Sequence, residues 1–99
     1  MNKRDLERRL TEENLMFVFD GNVLKHYVDG TKVYINGEWD NMTNVYGIYA
    51  GDEGEFVIFM TDDERGLPYY IDVFDSESEA CLALYEMAVR LKYIHDKGL

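Results

Sequence analysis

The chain has 99 residues, 46% hydrophobic and 14% aromatic, so it is long enough to bury one core without disulfides or a structural metal. Twenty acidic residues against ten basic ones give a net charge of −10, which argues against binding nucleic acid, because Lys and Arg hold its phosphates. A single cysteine, Cys81, excludes an internal disulfide and a multi-cysteine zinc site, and no apolar run approaches the roughly 18 residues of a membrane span.

The N-terminal segment predicts an amphipathic helix from Lys3 to Glu13. Leu6 and Leu10 lie four residues apart in an otherwise charged stretch that Asn2 could cap. The segment is charged where a signal peptide would be apolar. We therefore expect one domain, residues 1–99, that stays in the cytoplasm.

The next segments carry strand signals. The apolar run Leu15–Phe19 stops at Asp20 and fits a short buried strand, but its periodicity also allows the helix to continue, and both interpretations stay open. The dipeptides Asp29-Gly30 and Asn36-Gly37 suit tight turns. With the β-branched and aromatic residues of 23–28 and 32–35, they predict a hairpin.

A second hairpin is predicted from Val45–Ala50, a turn at 51–54, and Glu55–Thr61. The second of these strands is apolar on both faces, as is typical of a central strand with something packed on each side. Proline is tolerated at the first residue of a strand, so Leu67-Pro68 is expected to open a further strand over Tyr69–Phe74.

The last element is predicted to be a long helix from Ser76 to about Lys97. Ser76 and Glu79 have the spacing of a capping box, and Gly98 ends the helix. Its expected buried stripe comprises Ala80, Leu84, Met87, Ala88, Leu91 and Ile94, widened by Cys81, Leu82, Tyr85 and Val89. The predicted fold is α+β: an antiparallel, meander-like sheet of four to six strands with an N-terminal helix and a long C-terminal helix packed on it.

No catalytic motif is present. On one helix, Cys81 and His95 would lie about 21 Å apart, too far for a dyad. Cys81 with His26 remains geometrically possible, but a lone cysteine at a helical core position is more often a small buried hydrophobe. The acidic turns lack the ligand pattern of an EF-hand, and there is no phosphate-binding loop. We predict no enzymatic activity, no cofactor and no metal.

The charge is concentrated in the middle of the chain. Between Val33 and Val89 the only base is Arg65, against thirteen acids. Such a field would attract a basic protein. Arg65 is expected to tie its own turn down through an ion pair, and single tyrosines are more often half-buried strand residues than anchors. The predicted partner-binding residues are acidic or aromatic: Trp39, Asp52, Glu53, Glu55, Asp62, Asp63, Glu64 and Tyr69.

The second half of the chain resembles a known family. A hairpin, an acidic turn with Glu64-Arg65-Gly66, a strand ending in Phe74 and a final helix opened by Phe74–Cys81 resemble the immunity protein 59 group, small immunity proteins of bacterial polymorphic toxin systems. The resemblance covers Val45 to Leu91. It implies a cytosolic antitoxin that binds and blocks a toxin domain. It transfers no binding residues, because immunity proteins tend to differ most on the faces that meet their toxins, and Glu64, Arg65 and Gly66 match only as a turn.

Many such toxins are nucleases, which are basic because they hold nucleic acid. The predicted partner is therefore a basic, nuclease-type toxin domain, with no nucleic acid and no membrane bound directly. Two alternatives stay open: an acidic nucleic-acid mimic that inhibits a DNA-binding protein, and a self-associating regulatory or structural domain built on the wide apolar sector of the last helix. The chain is expected to be a monomer or a homodimer.

Overall fold

The fold is α+β, with two helices on one face of a five-stranded sheet. The computed structural model describes residues 1–15, 17–19, 21–28, 43–64 and 68–98, apart from the side chains of Phe19, Pro68 and Tyr70. Strand order in the sheet follows chain order, β1 to β5. The elements are α1 (Lys3–Glu12), β1 (Phe17–Phe19), β2 (Asn22–Val28), β3 (Val45–Ala50), β4 (Phe56–Thr61), β5 (Pro68–Phe74) and α2 (Glu77–Lys97).

Hydrogen bonds at both ends of the first helix fix where it begins and where it stops. Asn2 accepts a hydrogen bond from the Asp5 N–H at 2.8 Å, and Leu6 and Leu10 are buried, as predicted. Asn14 then adopts a left-handed backbone conformation with φ 50°, and the Leu15 N–H donates to the Leu10 carbonyl at 3.1 Å. This turn ends the helix, so the apolar run that follows forms strand β1 and does not extend α1.

The sheet is mixed, so the predicted purely antiparallel arrangement is wrong. The β1–β2, β3–β4 and β4–β5 pairs are antiparallel, but β2 runs parallel to β3, with Lys25 opposite Val45 and Val28 opposite Ile48. Sixteen residues connect β2 to β3, and a connection of a dozen or more is long enough for a parallel crossover. The predicted hairpin over 23–35 has only its first strand, β2, among the described residues.

Gly47 in β3 lies opposite Tyr27 in β2, and the two backbones leave no room for a side chain at this position. A Cβ atom on this residue would lie 1.9 Å from the Tyr27 carbonyl oxygen and 2.8 Å from its carbon, both of them backbone atoms. A backbone atom cannot rotate away as the end of a side chain can. The parallel pairing therefore requires glycine at this position of β3.

Each face of the sheet has its own buried cluster. The face under the helices joins residues of both helices and the first four strands, and its members are Leu6, Leu10, Phe17, Leu24, Tyr46, Ile48, Ile58, Ala80, Cys81, Leu84 and Ala88. On the opposite face, Val45, Tyr49, Val57 and Phe59 form a second cluster with Tyr27 against it. The prediction that the strand after the 51–54 turn is apolar and packed on both faces is confirmed.

The last helix is the predicted one. The Ser76 Oγ accepts a hydrogen bond from the Glu79 N–H at 3.3 Å, and Gly98 ends the helix with φ 71°. Two hydrogen bonds tie α2 to the segment just after α1: the Tyr85 hydroxyl donates to Glu13 Oε1 at 2.6 Å, and the Lys92 Nζ donates to the Asn14 carbonyl at 3.1 Å. The Glu13 hydrogen bond raises the pKa of Tyr85.

The buried sector of α2 is narrower than predicted. Leu82 and Val89, expected to widen the stripe, are 47% and 39% exposed, and Tyr93 is 60% exposed. The sheet and α1 cover only one side of the helix, so these three side chains lie on the uncovered side. Neither α1 nor α2 combines the length and the apolar character needed to cross a membrane.

Replacing Gly47 by alanine should destabilise the protein by at least about 2 kcal/mol, because the new methyl group forces the β2 and β3 backbones apart. Gly51→Ala is the matched control. Its Cβ would meet the end of the Glu55 side chain, which can rotate away, so we expect a change within about 1 kcal/mol. Urea unfolding of both variants measures the difference. Equal stability of the two variants would contradict the close approach of β2 and β3.

A Tyr46→Phe substitution should leave stability unchanged or raise it by about 1 kcal/mol. The ring stacks on Phe17 with centroids 4.6 Å apart, but the buried hydroxyl has no hydrogen-bond partner in the part of the chain that the structure describes. Burial also raises the pKa of this hydroxyl. The comparison variant is Tyr85→Phe, which removes the hydrogen bond to Glu13 and should therefore lower the melting temperature. A clear loss of stability in Tyr46→Phe would show that the Tyr46 hydroxyl does have a hydrogen-bond partner.

Candidate partner-binding surfaces

The predicted partner-binding residues lie at opposite ends of the sheet. Asp52, Glu53 and Glu55 belong to the turn between β3 and β4, here called the 51–55 turn, whereas the 62–64 turn follows β4. The six residues of β4 span about 17 Å. The two acidic turns therefore form two separate surfaces. Trp39 and Arg65 lie outside the described residues, and so does the ion pair expected of Arg65.

The 62–64 turn is fixed to the sheet by hydrogen bonds. The Asp62 carbonyl accepts the Asn44 N–H at 3.0 Å, and its carboxylate accepts the Glu64 N–H at 3.2 Å. Just before it, the hydroxyl of Thr61 accepts the Val45 N–H at 3.0 Å and donates to the Val45 carbonyl at 3.4 Å. These bonds hold the backbone of the turn, while Asp63 and Glu64 stay exposed.

A small polar cavity of about 170 Å³ adjoins this turn. It is lined by Asn22, Leu24, Asn44, Thr61, Asp62, Asp63 and Tyr69. Tyr69, one of the predicted residues, is 55% exposed at its rim. Asn22 was missed, because only the parallel pairing of β2 with β3 brings the start of β2 to this end of the sheet. Asn44, just before β3, was missed too, although the predicted hairpin of β3 and β4 already places it beside Asp62.

The 51–55 turn has internal hydrogen bonds of its own. The Gly51 N–H donates to the Glu55 carbonyl at 2.7 Å, the Gly54 N–H donates to the Gly51 carbonyl at 3.2 Å, and Gly54 has φ 82°. Next to the turn, Val57, Val73 and Asp75 line an open concavity with Glu53 and Glu55. Asp75 thus adds a carboxylate that was not among the predicted site residues.

A third surface, not predicted, is a groove of about 300 Å³ between β5 and α2. It is lined by Ile58, Ile71, Asp72, Phe74, Ala83, Glu86, Met87 and Arg90. Among the described strands, β5 is at the edge of the sheet, and its residues form one side of this groove. In sequence these residues look like ordinary strand and helix positions, and nothing in their spacing marks a groove.

The cysteine and the histidine considered for catalysis, Cys81 and His26, pack as structural residues. Cys81 is fully buried, and burial together with the nearby Glu77 carboxylate raises its pKa to about 11, so the thiol stays protonated at neutral pH. His26 packs edge-on against the Tyr46 ring at 6.4 Å. Within the described ranges, no three His, Cys, Asp or Glu side chains are grouped so that they could hold a metal ion.

Comparison of the chain with models of protein families, with curated proteins and with solved structures returned no match. The resemblance to the immunity protein 59 group therefore stays a prediction.

Thr61→Val should destabilise the protein by about 1–3 kcal/mol, because it leaves the buried Val45 N–H without its acceptor while nearly keeping the side-chain volume. Thr61→Ser keeps the hydroxyl and removes one methyl group, which costs about 0.8 kcal/mol. Thr61 is 3% exposed, so water cannot replace the lost bond. Denaturant unfolding should rank wild type above serine and serine above valine. A valine variant as stable as the serine variant would contradict this role.

Proposed function

We propose that this protein is an immunity protein that binds a basic, nuclease-type toxin domain and blocks it through an acidic and aromatic surface. The observation that supports the proposal is the concentration of exposed carboxylates in two hydrogen-bonded turns. The resemblance of residues 45–91 to small immunity proteins is the reason for naming a toxin as the partner.

Four carboxylates of the two turns carry the charge on which the proposal depends. Glu53, Glu55, Asp63 and Glu64 form no ion pair with any other residue in the described part of the chain. We propose that Lys and Arg of a partner pair with these charges. Exposed charges of this kind mainly speed up association and exclude wrong partners, and they contribute less to affinity.

A nucleic-acid mimic would need carboxylates at regular intervals along one surface. Between the two turns, β3 and β4 carry no acidic residue at all, and the turns are separated by the length of a strand. This gap favours two contact regions on a protein partner over imitation of a phosphate backbone.

Self-association is the second candidate, and the uncovered side of α2 favours it. Leu82, Val89 and Tyr93 are exposed at spacings of seven and four residues, so they share one face of the helix. Light scattering at increasing concentration tests this candidate. A monomer at high concentration would exclude it.

Co-expression with the toxin gene next to this gene tests the proposed function. We expect cells that make both proteins to survive and cells that make the toxin alone to die. The double variants Asp52→Asn/Glu53→Gln and Asp63→Asn/Glu64→Gln should show which turn meets the toxin. The turn that does should lose about tenfold or more in affinity for the purified toxin when neutralised.

Glu7→Gln/Glu12→Gln is the matched control, because it removes two exposed charges from α1 and leaves both turns intact. This control should bind as the wild type does. Death of cells that carry the wild-type protein with its toxin would refute the immunity function. Full affinity in both turn variants would refute the acidic turns as the contact surface.

A further inference from the structure

We propose that the outer edge of β5, which pairs with no strand except β4 among the described residues, and the groove beside it bind an extended segment of a partner protein. This segment alternates apolar and basic residues and joins the sheet as a further strand next to β5. The inference deepens the proposed function, on which its biological role rests. The binding surface is formed by β5 and α2 and includes neither of the two acidic turns.

The backbone of β5 is suited to strand addition. Edge strands present unpaired N–H and C=O groups, and the other edge of the sheet, β1, has only three residues and offers little length for pairing. β5 has seven residues, with Pro68 the first of them, and only alternate N–H groups of the other six point away from β4. A register shift between Ile58 and Phe59 leaves Ile71 as a bulge in β5, so the outward-facing donors fall into two short groups on either side of it. A peptide added at such an edge gains its affinity from main-chain hydrogen bonds.

The groove supplies pockets for side chains. Its floor contains Ile71 and Phe74 from β5 and Ala83 and Met87 from α2. A volume of about 300 Å³ is at the lower limit for small-molecule pockets, which favours a few apolar side chains over a cofactor. In an added strand every second side chain would point toward the helix layer and reach this floor.

Charge favours a basic segment. Asp72 on the strand and Glu86 on the helix line the groove on its two sides, and Arg90 is the basic residue of the lining, so carboxylates outnumber bases two to one among the described lining residues. Asp72 Oδ1 accepts the N–H of Val73 at 2.8 Å, so the strand supplies its own acceptor to a backbone donor. A lysine of the incoming segment could draw this carboxylate away while a carbonyl of the segment takes over the Val73 N–H.

Charge also disfavours a second copy of this chain. Antiparallel pairing of two β5 strands would bring the Asp72 carboxylates of both copies toward one another, and each copy carries a net charge of −10. Like charges that meet across an interface cost affinity. A basic partner segment meets no such repulsion.

Titration of the full chain with a capped eight-residue peptide of alternating lysine and valine tests the proposal. We expect saturable binding below about 1 mM, with NMR shifts confined to β5 and the facing side of α2. Two further peptides are N-methylated, one at all valines and the other at all lysines. In an added strand only one of these two sets of N–H groups faces β5, so only one peptide should lose binding.

Variants of the groove sharpen the test. Ala83→Phe fills the floor and should weaken binding at least tenfold, whereas Leu82→Phe, one residue away on the exposed side of α2, should not change it. Asp72→Asn and Glu86→Gln should each weaken binding about 2- to 5-fold, and Glu12→Gln on α1 is their control. If Ala83→Phe fails to fold, the exposed variants Asp72→Asn and Glu86→Gln still test whether the peptide binds in the groove.

Absence of binding, shifts elsewhere on the protein, or equal effects of the two methylated peptides would overturn the proposal. So would a dimer in sedimentation that Ala83→Phe abolishes, because a second copy would then occupy the groove. The titration involves no toxin. A failed titration with intact neutralisation refutes only the groove, whereas peptide binding without neutralisation refutes only the proposed function.

Discussion

The sheet depends on the close approach of Gly47 to the carbonyl of Tyr27, which only a residue without a side chain allows. This approach lets β2 lie parallel to β3, and the parallel direction brings Asn22, at the start of β2, beside the 62–64 turn. On its other side β3 pairs with β4 in the antiparallel direction. The positions of both acidic turns follow from these two pairings.

Local signals in the sequence were sufficient for most elements. Both helix caps, the hairpin of β3 and β4, and the strand opened by Pro68 depend on residues close together in the chain, and the structure confirms them. Strand direction across the sheet is not a local property. The turn dipeptides after Val28 indicated a hairpin, and no short-range pattern indicated that β2 would pair in parallel with β3. The prediction that Leu82 and Val89 are buried was wrong for a similar reason. Periodicity shows which face of α2 is apolar, but not how much of that face the neighbouring elements cover.

The candidate surfaces were predictable in composition but not in arrangement. Asp63, Glu64, Asp52 and Glu53 are exposed, as expected of solvated turns, yet one strand length separates the two pairs. The β5–α2 groove had no signal at all. Ile71 and Ala83 are twelve residues apart in different elements, and a groove is a property of the space between them.

The parallel pairing also affects how the chain reaches its fold. Pairing β3 with β4 closes a turn of five residues, whereas pairing β2 with β3 closes a connection of sixteen. The longer closure costs about 1 kcal/mol more in chain entropy. Contacts between residues distant in the chain slow folding, and here they include the β2–β3 pairing and the packing of α1 and β1 on α2. The meander of β3, β4 and β5 with α2 can therefore assemble from nearby segments, whereas the attachment of β2 must wait for a distant one.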